Sequence, residues 1–196
     1  MILEGLLTTL DDDRTVNTAP MGATVDAAME RITLRPFRTS ATYRNLRRDG
    51  TGVFHVTDDV EMLARAAVDR LSPPSTLPCA AVDGVILAGA CRWYAVRVES
   101  YDDSGRRASF ICRTAAGGEL RPFFGLNRAK HAVVEGAVLA TRLHLLPSAE
   151  IARQFAALRV LIEKTGGPAE QRAWDFLEDF VRAGGVSLDI DGVPRG

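Results

Sequence analysis

This chain has little of what usually announces a chemistry. Its three cysteines, Cys79, Cys91 and Cys112, form no CxxC pair. That spacing excludes the common zinc and dithiol motifs and leaves buried, reduced thiols as the expectation. The three histidines, His55, His131 and His144, show no ligand spacing, so no metal site is expected. No apolar run reaches transmembrane length. The opening MILEGLLTTLDDD has no basic stretch ahead of its apolar residues. Neither a membrane span nor a signal peptide is therefore expected, and the expected location is cytoplasmic. The formal net charge is −1, so no global field attracts nucleic acid. There is no internal repeat and no low-complexity segment.

What is present is a hydrophobic fraction of 46%, enough for a real core, arranged in two periods. Up to about residue 120 the apolar residues mostly recur every two positions; beyond it they recur every three or four. Ile2 to Leu10 reads as a strand, DDDR (Asp11 to Arg14) as a turn, and Thr15 to Met21 as a partner strand ended by Pro20 and Gly22. Arg31 to Arg35 and Thr51 to Thr57 alternate again, the latter after the turn signal Asp49-Gly50. A helix interrupts this half, with Asp58 as its cap, Glu61 completing a capping box, and Val60, Leu63, Ala64 and Ala67 as its buried stripe. Ser72 to Pro78 reads as a loop, Cys91 to Tyr101 and ASFICRTA as strands, and AAGGEL as a turn. A long helix is expected over Leu126 to Leu146, broken by Pro147. Ser148 would cap the next helix, and Gly166-Gly167-Pro168 would separate that one from a last. The pattern divides the chain into 1–122, a β domain, 123–186, three helices, and 187–196, a lightly packed tail. The fold class is mainly β with C-terminal helices, a barrel or sandwich followed by a helical bundle.

Two stretches carry chemistry. LRPFRTSATYRNLRR places five arginines between Arg35 and Arg48, around Thr39 and Ser40 at the start of a short helix. Unpaired N–H groups and the positive dipole end at a helix start bind anions. Arg35 and Arg38 add forked donors that match phosphate, and Thr42 and Asn45 lie within reach. The alternatives are an ordinary N-cap with solvated arginines, or a nucleic-acid contact aided by Phe37 and Tyr43. The acids of DDDR, TDDVE and YDDS argue against the contact. NTAPMG, Asn17 to Gly22, reads as an edge strand whose free backbone groups suit the polar rim of a flat ring; an ordinary strand end fits it too. In the long helix Asn127, His131, Glu135 and Arg142 share one face, and Ala129, Val133, Ala137 and Ala140 share another. His131 and Glu135 could pair so that the imidazole donates a proton, or simply be solvated.

Together EGLLTTL, NTAPMG, LRPFRTSATYRNL, GVFHVTDDVEMLARAA, CRWYAVRV and FFGLNRAKHAVVEGAVLATRLHLL resemble domain-of-unknown-function family 447. That family lies among the FMN-binding split-barrel flavoproteins, with the flavin reductases and pyridoxamine-phosphate-oxidase-like proteins. The resemblance implies a split β-barrel, FMN as cofactor and a homodimer with FMN at the interface. It implies a phosphate pocket of Arg35, Thr39, Ser40, Thr42 and Asn45, with Asn17, Ala19, Pro20 and Met21 along the isoalloxazine. It brings His55 toward the flavin, makes Arg128 and Lys130 candidates for an anionic substrate or the partner's flavin phosphate, and favours His131 with Glu135 as a catalytic pair. The implied function is an FMN-dependent oxidoreductase of flavin-reductase type acting on a small molecule, with a pterin as one candidate. The alternatives are a non-catalytic flavin carrier or sensor and, behind both, a nucleic-acid-binding protein.

Overall fold

The computed structural model describes residues 1–188. Six strands close into an antiparallel barrel in the order β1-β2-β3-β8-β7-β4. These are β1 (Ile2–Leu10), β2 (Val16–Val25), β3 (Arg31–Leu34), β4 (Thr51–Val56), β7 (Arg92–Asp102) and β8 (Ser109–Glu119). A short hairpin of β5 (Thr76–Pro78) and β6 (Val85–Leu87) stands apart; β5 lies in the segment the sequence presents as loop. The mainly β class with C-terminal helices is therefore the observed one.

Alternation places one set of side chains inside the barrel. Leu7, Met21, Ala23, Val25, Ile32, Leu34, Phe54, Val96, Phe110 and Cys112 form the interior core, joined by Tyr43 and Leu46 of helix α1 (Ala41–Asp49). Gly5 permits the β1–β4 contact, since a Cβ there would lie 2.3 Å from the His55 carbonyl oxygen. On the outer face Val53 and Ala95 are covered by Cys79, Val82 and Ile86.

Two strands run further than their sequence suggests. β2 continues through Pro20 and Gly22, with Pro20 opposite Leu6. β8 continues through Ala115-Ala116-Gly117-Gly118-Glu119, opposite Arg92 to Ala95. The two glycines there are spaces for aromatic rings and do not turn the chain. A Cβ on Gly118 would lie 2.7 Å from Trp93 Nε1, and one on Gly117 3.1 Å from Tyr94 Cδ1.

The chain divides into two compact units, Met1–Asp58 with Ser72–Phe123, and Asp59–Leu71 with the chain from Phe124 onward. The second unit contains α2 (Val60–Ala67), α3 (Arg128–Ala140), α4 (Ser148–Thr165) and α5 (Pro168–Ala183). Helix α2 thus belongs with the C-terminal helices despite lying between barrel strands. Its cap is Asp59, which accepts from Met62 N–H at 2.9 Å, and not Asp58. Glu61 serves no capping box; it takes Arg65 and Arg172. Helix α3 is shorter than the apolar periodicity indicates, running from its Asn127 cap to Ala140, with turns before Pro147. Pro147, not Ser148, stands at the N-cap of α4. The core here is Val60, Ala64, Ala129, Val133, Ala137, Ile151, Phe155, Ile162, Trp174, Leu177 and Val181. Val186 and Leu188 are buried in it as well, so the chain just after Gly184 is packed. Residues 189–196 of the expected tail lie outside the described residues.

Candidate functional site

The edge of β2 is the first component. Met1 and Val25 exchange both backbone hydrogen bonds, at 3.1 and 2.9 Å. The register is unbroken to Leu10↔Val16. Odd-numbered residues of β2 therefore bond β1, and the backbone groups of Thr18, Pro20 and Gly22 face the other way. On that side β3 pairs only with Thr24 and Val25. From residue 16 to 23 the strand presents an open edge, and the N–H that Pro20 lacks falls on it, which is why Pro20 does not end the strand. Thr18 Oγ1 is the one buried side-chain polar atom without a partner among the described residues.

The second component is the turn into α1. Ser40 is its N-cap; its hydroxyl accepts from Tyr43 N–H at 3.2 Å and donates to the Phe37 carbonyl at 2.7 Å. The N–H groups of Ala41 and Thr42 have no intrahelical acceptor. The five arginines divide into two sets. Arg44 donates to the Thr39 carbonyl at 2.9 Å, Arg47 to the Tyr43 hydroxyl at 3.1 Å, and Arg48 to Asp12, Asp49 and the Leu10 carbonyl. Arg35, Arg38 and Thr39 are exposed, and neither Arg35 nor Arg38 has a carboxylate partner among the described residues.

A buried polar network joins the two components. Asn17 Nδ2 donates to Thr9 Oγ1 at 2.9 Å and to Thr42 Oγ1 at 3.0 Å. Asn45 Nδ2 donates to Thr9 Oγ1 at 3.0 Å and to Asp11 Oδ1 at 2.8 Å. Thr42 and Asn45 are each only 2% exposed. They fasten the first turns of α1 to β1 and β2, so of the expected pocket Arg35, Thr39 and Ser40 stay near the surface while Thr42 and Asn45 are its internal bracing. Of the expected ring-lining residues, Met21 is a core side chain and Ala19 is half-buried.

His55 lies in the barrel wall. It is fully buried, its Nε2 accepts from Leu87 N–H at 3.0 Å and its Nδ1 lies 3.3 Å from the Leu6 carbonyl. Nδ1 therefore carries the proton. Burial lowers its pKa to about 4, so it is a neutral side chain engaged in the barrel wall. Asp58, near it in sequence, is buried against Arg121 and lies 3.5 Å from Cys91 Sγ. All three cysteines are free and buried; burial raises the Cys91 pKa and pushes that of Cys112 up to about 12. No cluster of three or more metal-ligating side chains exists among the described residues.

The polar face of α3 also differs from its reading. Asn127 is spent on capping, accepting from Ala129 and Lys130 N–H at 2.8 and 3.2 Å. Arg142 lies beyond the helix. His131 and Glu135 are both exposed, and no hydrogen bond joins them among the described residues. Lys130 pairs with Glu170 at 2.9 Å. Burial opposes ionisation of Glu170, but Lys130 and the Gly167 N–H together lower its pKa. Arg128 is exposed.

Sequence reasoning missed Arg106 and Arg107. The Phe37↔Arg107 bridge brings them to the turn, with Arg107 Cζ 4.0 Å and Arg106 Cζ 5.9 Å from the Phe37 ring centroid. The signal was a dibasic pair in the β7–β8 loop; nothing local tells which strand end it meets.

Fold comparison places the chain beside flavin-binding barrels. The FMN-bound protein MM1853 of Methanosarcina mazei superposes with a TM-score of 0.78 at 22% identity, over 91% of this chain and 94% of that one. The styrene monooxygenase flavin reductase of Pseudomonas putida S12 gives 0.51 at 17% identity, over 60% and 81%. Flavoredoxin of Methanosarcina acetivorans gives 0.52 at 11%, over 62% and 74%. At these identities the likeness is one of fold, the FMN-binding split barrel. No curated protein matches the sequence. The model of the DUF447 N-terminal domain matches residues 3–121 and that of its second part, protein of unknown function DUF447, matches residues 127–179; the chain belongs to the DUF447 family.

Proposed function

We propose that this chain binds FMN in its barrel unit and serves as a flavin-dependent oxidoreductase toward a small-molecule second substrate. The observation that carries this reading is the open edge of β2 lying next to the α1 N-terminus, with Arg35 and Arg38 unmatched by any carboxylate among the described residues. The donor set fits the cofactor at both ends. Thr18 and Gly22 offer backbone N–H and C=O, and Pro20 offers C=O, to the alternating donors and acceptors of a flat ring rim. Ala41 and Thr42 N–H, the Thr39 hydroxyl and the two guanidiniums suit a phosphate. Bound there, the flavin supplies the hydride or electron chemistry. The chain orients it: Asn17, Thr42 and Asn45 hold the phosphate turn and the ring strand in fixed relation, as internal struts. A homodimer covering the open β2 edge is the assembly this reading implies.

A second reading, a flavin carrier without turnover, draws support from His131 and Glu135, which are exposed and unjoined. Reduced nicotinamide added to the FMN-loaded protein separates the two: rapid bleaching supports the oxidoreductase, and a stable yellow colour the carrier. The primary test is the absorbance spectrum of the freshly purified chain and its titration with FMN. Colourless protein that takes up no added FMN ends both readings.

A further inference from the structure

Four arginines lie on two segments that meet, the β7–β8 loop and the chain from Arg35 to Arg38. The loop is anchored there by its backbone: Ala108 N–H donates to the Pro36 carbonyl at 3.1 Å, and Arg107 Nη1 reaches the Arg35 carbonyl at 3.4 Å. Arg106 and Arg107 are therefore held near Arg35 and Arg38. The nearby carboxylates are engaged elsewhere. Asp102 accepts from Ser104 N–H at 2.9 Å, and Asp103 takes the Tyr43 hydroxyl at 2.7 Å and Arg47 at 3.8 Å. Among the described residues none of the four arginines pairs with an acid. Beside them Phe37 is 42% exposed, with the Arg107 guanidinium over one face of its ring.

One phosphate monoester, carrying about two negative charges, is matched by the α1 N-terminus with Arg35 and Arg38. Arg106, Arg107 and Phe37 are then surplus to FMN. Guanidiniums and an exposed aromatic face together suit a further phosphate followed by a stacked base. We propose that this corner is a second anion subsite that takes the adenylate half of a dinucleotide. The proposal rests on the flavin reading and extends it to the class of the larger ligand. The adenylate could be that of FAD, where it continues from the flavin phosphate, or that of a nicotinamide dinucleotide donor; the chemistry the corner recognises is the same.

The experiment compares the full chain with the Arg106→Ala/Arg107→Ala variant, with thermal melts confirming that both fold. Calorimetric titrations use FMN, FAD and a short single-stranded oligonucleotide. The FMN-loaded forms are then titrated with reduced nicotinamide adenine dinucleotide and with reduced nicotinamide mononucleotide. The expected result is unchanged FMN affinity with about tenfold weaker binding of one dinucleotide. Loss for FAD alone assigns the adenylate to the flavin. Loss for the dinucleotide donor but not its mononucleotide assigns it to the donor. Phe37→Ala should reproduce part of the same loss. Equal losses for every ligand, no loss for any, or loss confined to the oligonucleotide overturns the subsite. A parent chain that binds no flavin overturns the underlying reading instead, so the two failures are distinguishable.

Discussion

The buried carboxylates of the helical unit and the arginines around the start of α1 make a contrast in charge. In the helical unit the buried carboxylates are matched: Glu178 takes Arg159, Arg182 at 3.0 Å and Trp174 Nε1 at 2.7 Å, and Glu170 takes Lys130 at 2.9 Å and Gly167 N–H at 2.9 Å. In the barrel unit Arg35, Arg38, Arg106 and Arg107 have no carboxylate among the described residues, one strand edge is open, and Thr18 Oγ1 has no partner. A closed, self-satisfied set of charges reads as stability. An unsatisfied set beside an open edge is what the proposed flavin site rests on, because like charges held together repel and an anion would relieve that repulsion.

The largest effect that tests this contrast is in the helical unit. Glu178→Ala should lose about 3 kcal/mol, toward the low end for a broken buried pair because both arginines keep partial access to water. Urea unfolding measures it, and FMN affinity should not change in the folded variant. Next comes acid stability in the barrel. The folded pKa of His55, about 4, lies below its unfolded value of about 6.5. The unfolded chain therefore binds the proton first. Stability from this group is complete above pH ~6.5 and falls by roughly 2–3 kcal/mol as pH drops to about 4. His55→Gln should remove that slope from the urea midpoints, and a slope that persists assigns the acid loss to other groups.

Arg35→Ala/Arg38→Ala should cost about 2 kcal/mol of FMN binding, roughly thirtyfold in Kd, with melting unchanged. Fluorescence titration reads it, and unaltered affinity would move the phosphate elsewhere. The smallest effect is expected for His131→Ala: FMN affinity unchanged and stability within about 0.5 kcal/mol, as for an exposed side chain. A marked loss of FMN affinity there would break the contrast by bringing the helical unit into the cofactor site.

Much of this was legible in the residues themselves. β1, the α1 segment after Thr39-Ser40, and the Ile151–Phe155–Ile162 and Trp174–Leu177–Val181 stripes follow from apolar spacing and caps, which are local. What misled was also local in form. Pro20 looks like a strand end until register shows that its missing N–H faces no partner. Gly117-Gly118 look like a turn until Trp93 and Tyr94 are seen against them. The stop of α3 at Ala140 leaves no Gly or Pro at that point to announce it. His55, Thr42 and Asn45 have the chemistry of ligands, and each also makes hydrogen bonds inside the fold that the sequence does not announce.

By itself the sequence determined the two periods, the family, and the presence of an arginine-rich helix start and an edge-like strand, because propensity, capping and alternation act between near neighbours. Only the tertiary structure decided which polar groups remain available. Tertiary packing tied Asn17, Thr42, Asn45 and His55 into internal hydrogen bonds, returned α2 to the helical unit, and brought Arg106 and Arg107 to Phe37. Those outcomes depend on which distant segments meet, and a hydrogen bond made to one partner is withdrawn from every other.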